Sequence, residues 1–193
     1  MRRVIVVVAA MGLATTIGFA QGGRQGGGQT ITLAASLQRG YQGFKTNFTQ
    51  AADKMPEADY AFKPGSTPEA RTFAQVIDHI SQAQFNQCSA LKGAPNPMQG
   101  KQLEQELKTK AEVTKALADS FALCDDLFSQ VTDANATEMV KAGMNEMPRA
   151  AALFGIITHG NEMYGTAAVY LRSKDIVPPS TERAMQRGRR GGN

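Results

Sequence analysis

The sequence predicts an all-α protein, a four-helix bundle with a long crossover between its second and third helices. Three observations point there. Apolar residues recur at three- and four-residue steps over four long stretches. Two of those stretches open on a capping box. The segment Gly93 to Lys108, sixteen residues holding Gly93, Pro95, Pro97 and Gly100, is long for a bundle connection. No strand pattern competes with the helical one.

The first helix is expected from about Thr30 to Met55. Leu33, Leu37, Tyr41, Phe44, Phe48, Ala52 and Met55 make one apolar stripe, and Pro56 and the loop through Pro68 end it. The second begins at Thr72, where Thr72-Phe73-Ala74-Gln75 lets hydroxyl and amide satisfy two free backbone N–H groups. Phe73, Val76, Ile77, Ile80 and Leu91 supply its core face, and Gly93 suits the left-handed cap beyond Lys92. Thr109-Lys110-Ala111-Glu112 is a second capping box and starts the third helix, with Val113, Leu117, Phe121, Cys124, Phe128 and Val131 as its stripe. Asp133 to Asn145 reads as a loop. The fourth helix begins near Pro148, whose missing N–H costs nothing in a first turn, and runs to about Lys174, before Pro178-Pro179.

The crossover is long enough to return the chain along the bundle and set the second and third helices parallel. Cys88 and Cys124 then fall at the same height, each roughly 23 Å from its helix start at 1.5 Å per residue. In an oxidising compartment a Cys88–Cys124 disulfide follows. Two buried thiols packing as small apolar residues are the alternative. Either way the pair is structural, because the Cys-x-x-Cys spacing of a redox site is lacking.

The ends differ from the body. Met1-Arg2-Arg3 followed by the apolar run Val4 to Leu13, with Gly18 and Ala20 before Gln21, reads as a secretory signal peptide over 1–20. An uncleaved anchor is the rival, but the run is short for a span. Residues 21–29 form a Gly-rich linker, 30–177 the bundle, and 178–193 a basic tail expected to be disordered. Seven of the 21 basic residues lie in those ends, against Glu182 alone of the 17 acidic ones. The body is therefore mildly acidic, which argues against nucleic-acid binding. No membrane attachment is expected after cleavage, and the protein is placed in the periplasm or secreted.

The stretch Thr158 to Pro179 carries a resemblance. His159, Glu162, Tyr164, Gly165, the run Tyr170-Leu171-Arg172 and Val177-Pro178-Pro179 are similar to the last helix of DinB-like proteins. The run Lys54 to Pro64 and Arg71-Thr72-Phe73 leading to His79 resemble that family's first link and second helix. The resemblance covers most of the mature chain. It implies a four-helix bundle, often a homodimer, with a divalent metal held by one histidine of the second helix and two of the fourth. His79 and His159 match two of those ligands. Met163 stands where the third imidazole belongs.

That departure weakens the site. Imidazoles at i and i+4 share a helix face and can grip one ion with a third from a neighbouring helix. A thioether is soft and neutral and holds Ni or Zn poorly. Three readings remain open. In the first the site has decayed, Met163 packs, and a divalent ion is bound only weakly. In the second Glu162 joins His79 and His159 as a two-histidine, one-carboxylate triad. In the third Met163 joins the histidines to hold Cu(I). His79, at the edge of its apolar stripe, is also an ordinary border histidine. No Gly-rich phosphate loop, nucleophile elbow or hydrolytic triad is present.

The expected function is a non-catalytic binding or interaction module with an incomplete histidine site, for an unidentified small molecule or as a homodimer through helix faces. The alternative is a metal-dependent enzyme of thiol-transferase or hydrolase type using His79, His159 and Glu162 or Met163. No catalytic residue is assigned.

Overall fold

A computed structural model describes residues 31–191. The signal segment and the linker expected over 1–29 lie outside the described residues. The elements are α1 (Leu33–Lys54), α2 (Phe73–Lys92), α3 (Leu103–Glu106), α4 (Lys110–Ser129), β1 (Met139–Ala142), β2 (Asn145–Pro148), α5 (Arg149–Arg172) and α6 (Pro179–Gly191). Four long helices, α1, α2, α4 and α5, form the bundle, so the all-α expectation holds.

Local chemistry sets the helix ends where the sequence places them. Thr72 and Gln75 form both halves of the capping box on α2, and Thr109 and Glu112 do the same on α4. Gly93 ends α2 with φ +62°, a left-handed turn that favours glycine. Thr32 caps α1 through its hydroxyl.

Helix directions follow from side-chain pairs. Gln84 meets Ser120, Cys88 meets Cys124, and Lys92 meets Asp126, so α2 and α4 run parallel. Gly40 lies beside Ile157, Gly160 against Phe44, and the Phe48 ring near that of Tyr164, so α1 and α5 are parallel as well. Phe73 packs on Tyr170 and His79 on His159, which makes the second pair antiparallel to the first. The crossover does carry the chain back along the bundle, and the Cys88–Cys124 disulfide is formed, with Cα atoms 5.4 Å apart.

The core is aromatic. Tyr41, Phe44, Phe48, Phe73, Phe121 and Phe128 are all buried, and Tyr41 stacks on Phe128 with centroids 3.9 Å apart. The Tyr41 hydroxyl donates to the Phe121 carbonyl or to Asp125, which gives this buried polar tip its partner.

Two expectations are corrected. Asp133 to Asn145 is not wholly a loop: β1 and β2 form an antiparallel hairpin in which Val140 faces Met147 and Ala142 faces Asn145. Gly143, at φ +69°, makes the two-residue turn, and Met144 has no positive φ, the pattern of a type II′ turn. The strands are four residues each, with only Val140, Ala142 and Met147 partly buried, so they leave little hydrophobic alternation in the sequence. The basic tail is also not disordered over 179–191, where α6 forms. Its first turn is tied down. The Tyr164 hydroxyl accepts from the Ser180 N–H and bonds the Ser180 hydroxyl, both at 2.9 Å. Lys54 pairs with Glu182, and Arg183 donates to Gln50 at 2.8 Å. Pro179 at the start and helix-forming residues from Glu182 to Arg187 let the turn continue.

Candidate functional site

His79 lies about a third of the way along α2 and His159 near the middle of α5, on faces that meet across the antiparallel seam. Their rings stand edge to face with centroids 5.3 Å apart, and each side chain keeps 29% of its surface exposed. The structure thus brings these two imidazoles together. Met163, one turn beyond His159, is buried among the core side chains. Glu162 lies mostly in solvent, 75% exposed, with its carboxylate 3.5 Å from His159 Nδ1 on its own helix. That distance is long for a hydrogen bond.

The carboxylate that does grip the site carries no signal in the sequence. Glu104, on the short helix α3 of the crossover, lies 2.8 Å from His79 Nδ1 through Oε1. Its Oε2 accepts from Arg71 Nε, also at 2.8 Å. Burial alone would raise the Glu104 carboxyl, but the hydrogen bonds from Arg71 and His79 outweigh it and hold the group below its ordinary range. An ionised carboxylate only accepts, so His79 Nδ1 carries the proton of this bond. Arg71 Nη2 sits 3.3 Å from the same Nδ1. Two donors lie side by side there because both hold one carboxylate.

The Glu104 anchor is itself supported. Gln75, the second half of the α2 capping box, donates through Nε2 to the Glu104 carbonyl at 3.2 Å. The Tyr170 hydroxyl donates to the Arg71 carbonyl at 2.7 Å, which links α5 to the same knot. Crossover, α2 and α5 are thus fastened around His79. A single signal pointed here in advance, the Arg71-Thr72-Phe73 run. Glu104 follows His79 by 25 residues and sits outside any periodic stripe.

Beside this knot, Asp78 is fully buried, and both of its carboxylate oxygens lack a hydrogen-bond partner. Burial pushes its carboxyl up to about 8; Glu104 and Glu112 add to the rise and Lys108 opposes it. Among the described residues, no three His, Cys, Asp or Glu side chains are grouped so as to hold a metal ion.

The donor set suits a firmly held Ni or Zn poorly. Two imidazoles converge, Met163 is buried among core side chains, and the nearest carboxylate is committed to Arg71 and His79. A His79 whose Nδ1 is held by Glu104 does present the tautomer that leaves Nε2 as the ligand nitrogen.

These features define an all-α bundle of two antiparallel pairs of parallel helices, with an imidazole pair on the seam between them. The family model described as the DinB superfamily matches residues 42–167, and the chain belongs to that superfamily. Among solved structures it resembles a DinB-like protein from Bacillus cereus at TM-score 0.59 and 17% identity, covering 74% of this chain and 93% of that one. A DinB-like protein from Bacillus subtilis is similar at TM-score 0.53 and 17% identity, covering 72% and 92%. A conserved protein from Enterococcus faecalis is similar at 0.56 and 15%, covering 74% and 96%. At such identities the likeness is one of fold. No curated protein matches the chain.

Proposed function

We propose that the chain is an exported, non-catalytic DinB-like binding module whose histidine site is reduced to a weak one for divalent ions. The observation that carries this reading is the pairing at the seam: the two imidazoles meet and Glu104 is held by Arg71, while the sequence supplies Met163 where the resemblance expects a third imidazole. Two imidazoles give an ion few strong donors, and the buried thioether of Met163 adds little for nickel or zinc. The leader-like N-terminus and the Cys88–Cys124 disulfide support export, since such bridges persist in oxidising compartments. A homodimer through helix faces is part of the same proposal.

The test is metal retention. Protein loaded with nickel or zinc should lose the ion on dialysis, and Met163→His should raise its affinity by an order of magnitude or more. Retention of one ion per chain by the unaltered protein overturns the reading.

A second reading, a metal-dependent enzyme of thiol-transferase or hydrolase type, is favoured by one observation. The Glu104–His79 bond resembles the carboxylate–imidazole pairing that orients metal-bound histidines. Under that reading His159→Ala strips a tightly held ion, and Glu104→Gln lowers the affinity about tenfold or more.

A further inference from the structure

The seam that brings the imidazoles together also opens into a cavity of about 370 Å³ between α2, the hairpin and α5. Its walls include Leu91, Met147, Ala152 and Gly155, with the amides of Asn86 and Gln87 as polar groups. The space exists because α5 offers alanine and glycine where it passes the hairpin: a Cβ at Gly155 would meet nothing within 4 Å. Gly155 stands one turn before His159, and Asn86 two turns after His79. At 1.5 Å per residue the separations along the helices are about 6 and 10 Å. Both pairs share a helix face with their histidine, so cavity and imidazoles lie on one seam.

The lining states what the cavity prefers. None of its side chains is charged, so an ionised ligand would lose hydration there without gaining a partner. Asn86 Oδ1 already accepts from Asn96 Nδ2, at 2.6 Å. That bond fixes the orientation of the amide and leaves Asn86 Nδ2 as a donor. The volume lies at the small end of the range for small-molecule sites, and an apolar wall with few polar groups is their usual composition.

We infer that this cavity binds an uncharged, largely apolar small molecule, an aromatic or short acyl body with a single carbonyl oxygen directed at Asn86. The inference rests on the reading of the chain as a binding module and gives that module its ligand class. The hairpin, absent from the sequence reading, is what closes the pocket on one side.

The experiment uses 2-acetylnaphthalene as a neutral carbonyl probe, with 2-ethylnaphthalene and 2-naphthoate as comparisons, titrated into the mature protein and followed by fluorescence. Saturable binding of the ketone is expected at one site per chain, with the carboxylate much weaker. Gly155→Leu fills the cavity from a position with open space, so it should abolish binding while leaving the thermal midpoint unchanged or raised. Asn86→Ala should weaken the ketone about tenfold, the loss of one hydrogen bond, and leave the hydrocarbon unaffected. No saturable binding, or equal binding by Gly155→Leu, overturns the inference. Nickel retention is measured on the same samples. Tight retention with ketone binding intact would sink the reduced-site reading alone, whereas rapid nickel loss without ketone binding would sink the pocket alone.

Discussion

Gly160 faces Phe44 so closely that a Cβ built there would stand 2.5 Å from the ring. Next to His159, it lets α1 approach α5 and so helps place that imidazole on the seam. Gly160→Ala should therefore destabilise the protein by about 1–3 kcal/mol, despite alanine's better helix propensity, because a packed ring must move. Chemical denaturation measures it, and an unchanged or raised midpoint would show that Phe44 has room to shift. Asp78 carries a prediction of opposite sign. Its folded carboxyl, at about 8, lies above the ordinary 3.8, so the folded chain keeps a proton that the unfolded chain releases. Stability from this group is full at low pH and is lost as pH rises from about 4 through 8. Asp78→Asn should flatten that decline and stabilise the protein at pH 8 by on the order of 1–3 kcal/mol. Parallel pH–stability curves for the two proteins would refute it. Neither residue's role was legible beforehand. Glycine in a helix reads as neutral punctuation, and Asp78 sits among apolar neighbours without any spacing that marks it. The neighbourhood of His79 and His159 was legible because a motif names their positions. Glu104 was not, because its partner is fixed by the path of the crossover.

At the scale of elements, the long helices could be read from the chain because their ends are decided locally. A threonine hydroxyl and a side chain three residues on satisfy the first N–H groups wherever the helix packs. The hairpin and α6 depend on tertiary contacts instead. β1 and β2 are too short and too exposed to show alternation, and α6 is held through its first turn by Tyr164, Lys54 and Gln50. Tyr164→Phe removes the hydroxyl that accepts the Ser180 N–H and bonds its side chain. It should cost the fold about 1 kcal/mol and speed trypsin cleavage at Arg183 and Arg187. Cleavage at the same rate in both proteins would mean that the remaining ties suffice to dock α6.

For the whole molecule, the crossover decides the architecture, and the disulfide reports it. Cys88 and Cys124 are 36 residues apart, and closing a loop of that length restricts the unfolded chain by about 4 kcal/mol. Cys88→Ser with Cys124→Ser should lower stability by on the order of 2–4 kcal/mol while retaining helix content by circular dichroism. A double variant as stable as the parent would mean that the noncovalent contacts between α2 and α4 already suffice. The heights of the cysteines were readable from helix starts alone, since both starts were marked by capping boxes.

Parallel neighbours also carry an electrostatic debt. The N-terminal poles of α2 and α4 lie at one end of the bundle, so their macrodipoles oppose side-by-side packing. The C-terminal poles of α1 and α5 share that end, with Lys54 and Arg172 in their last turns, and set negative ends beside positive ones. A covalent tie between α2 and α4 thus joins two helices whose fields push them apart.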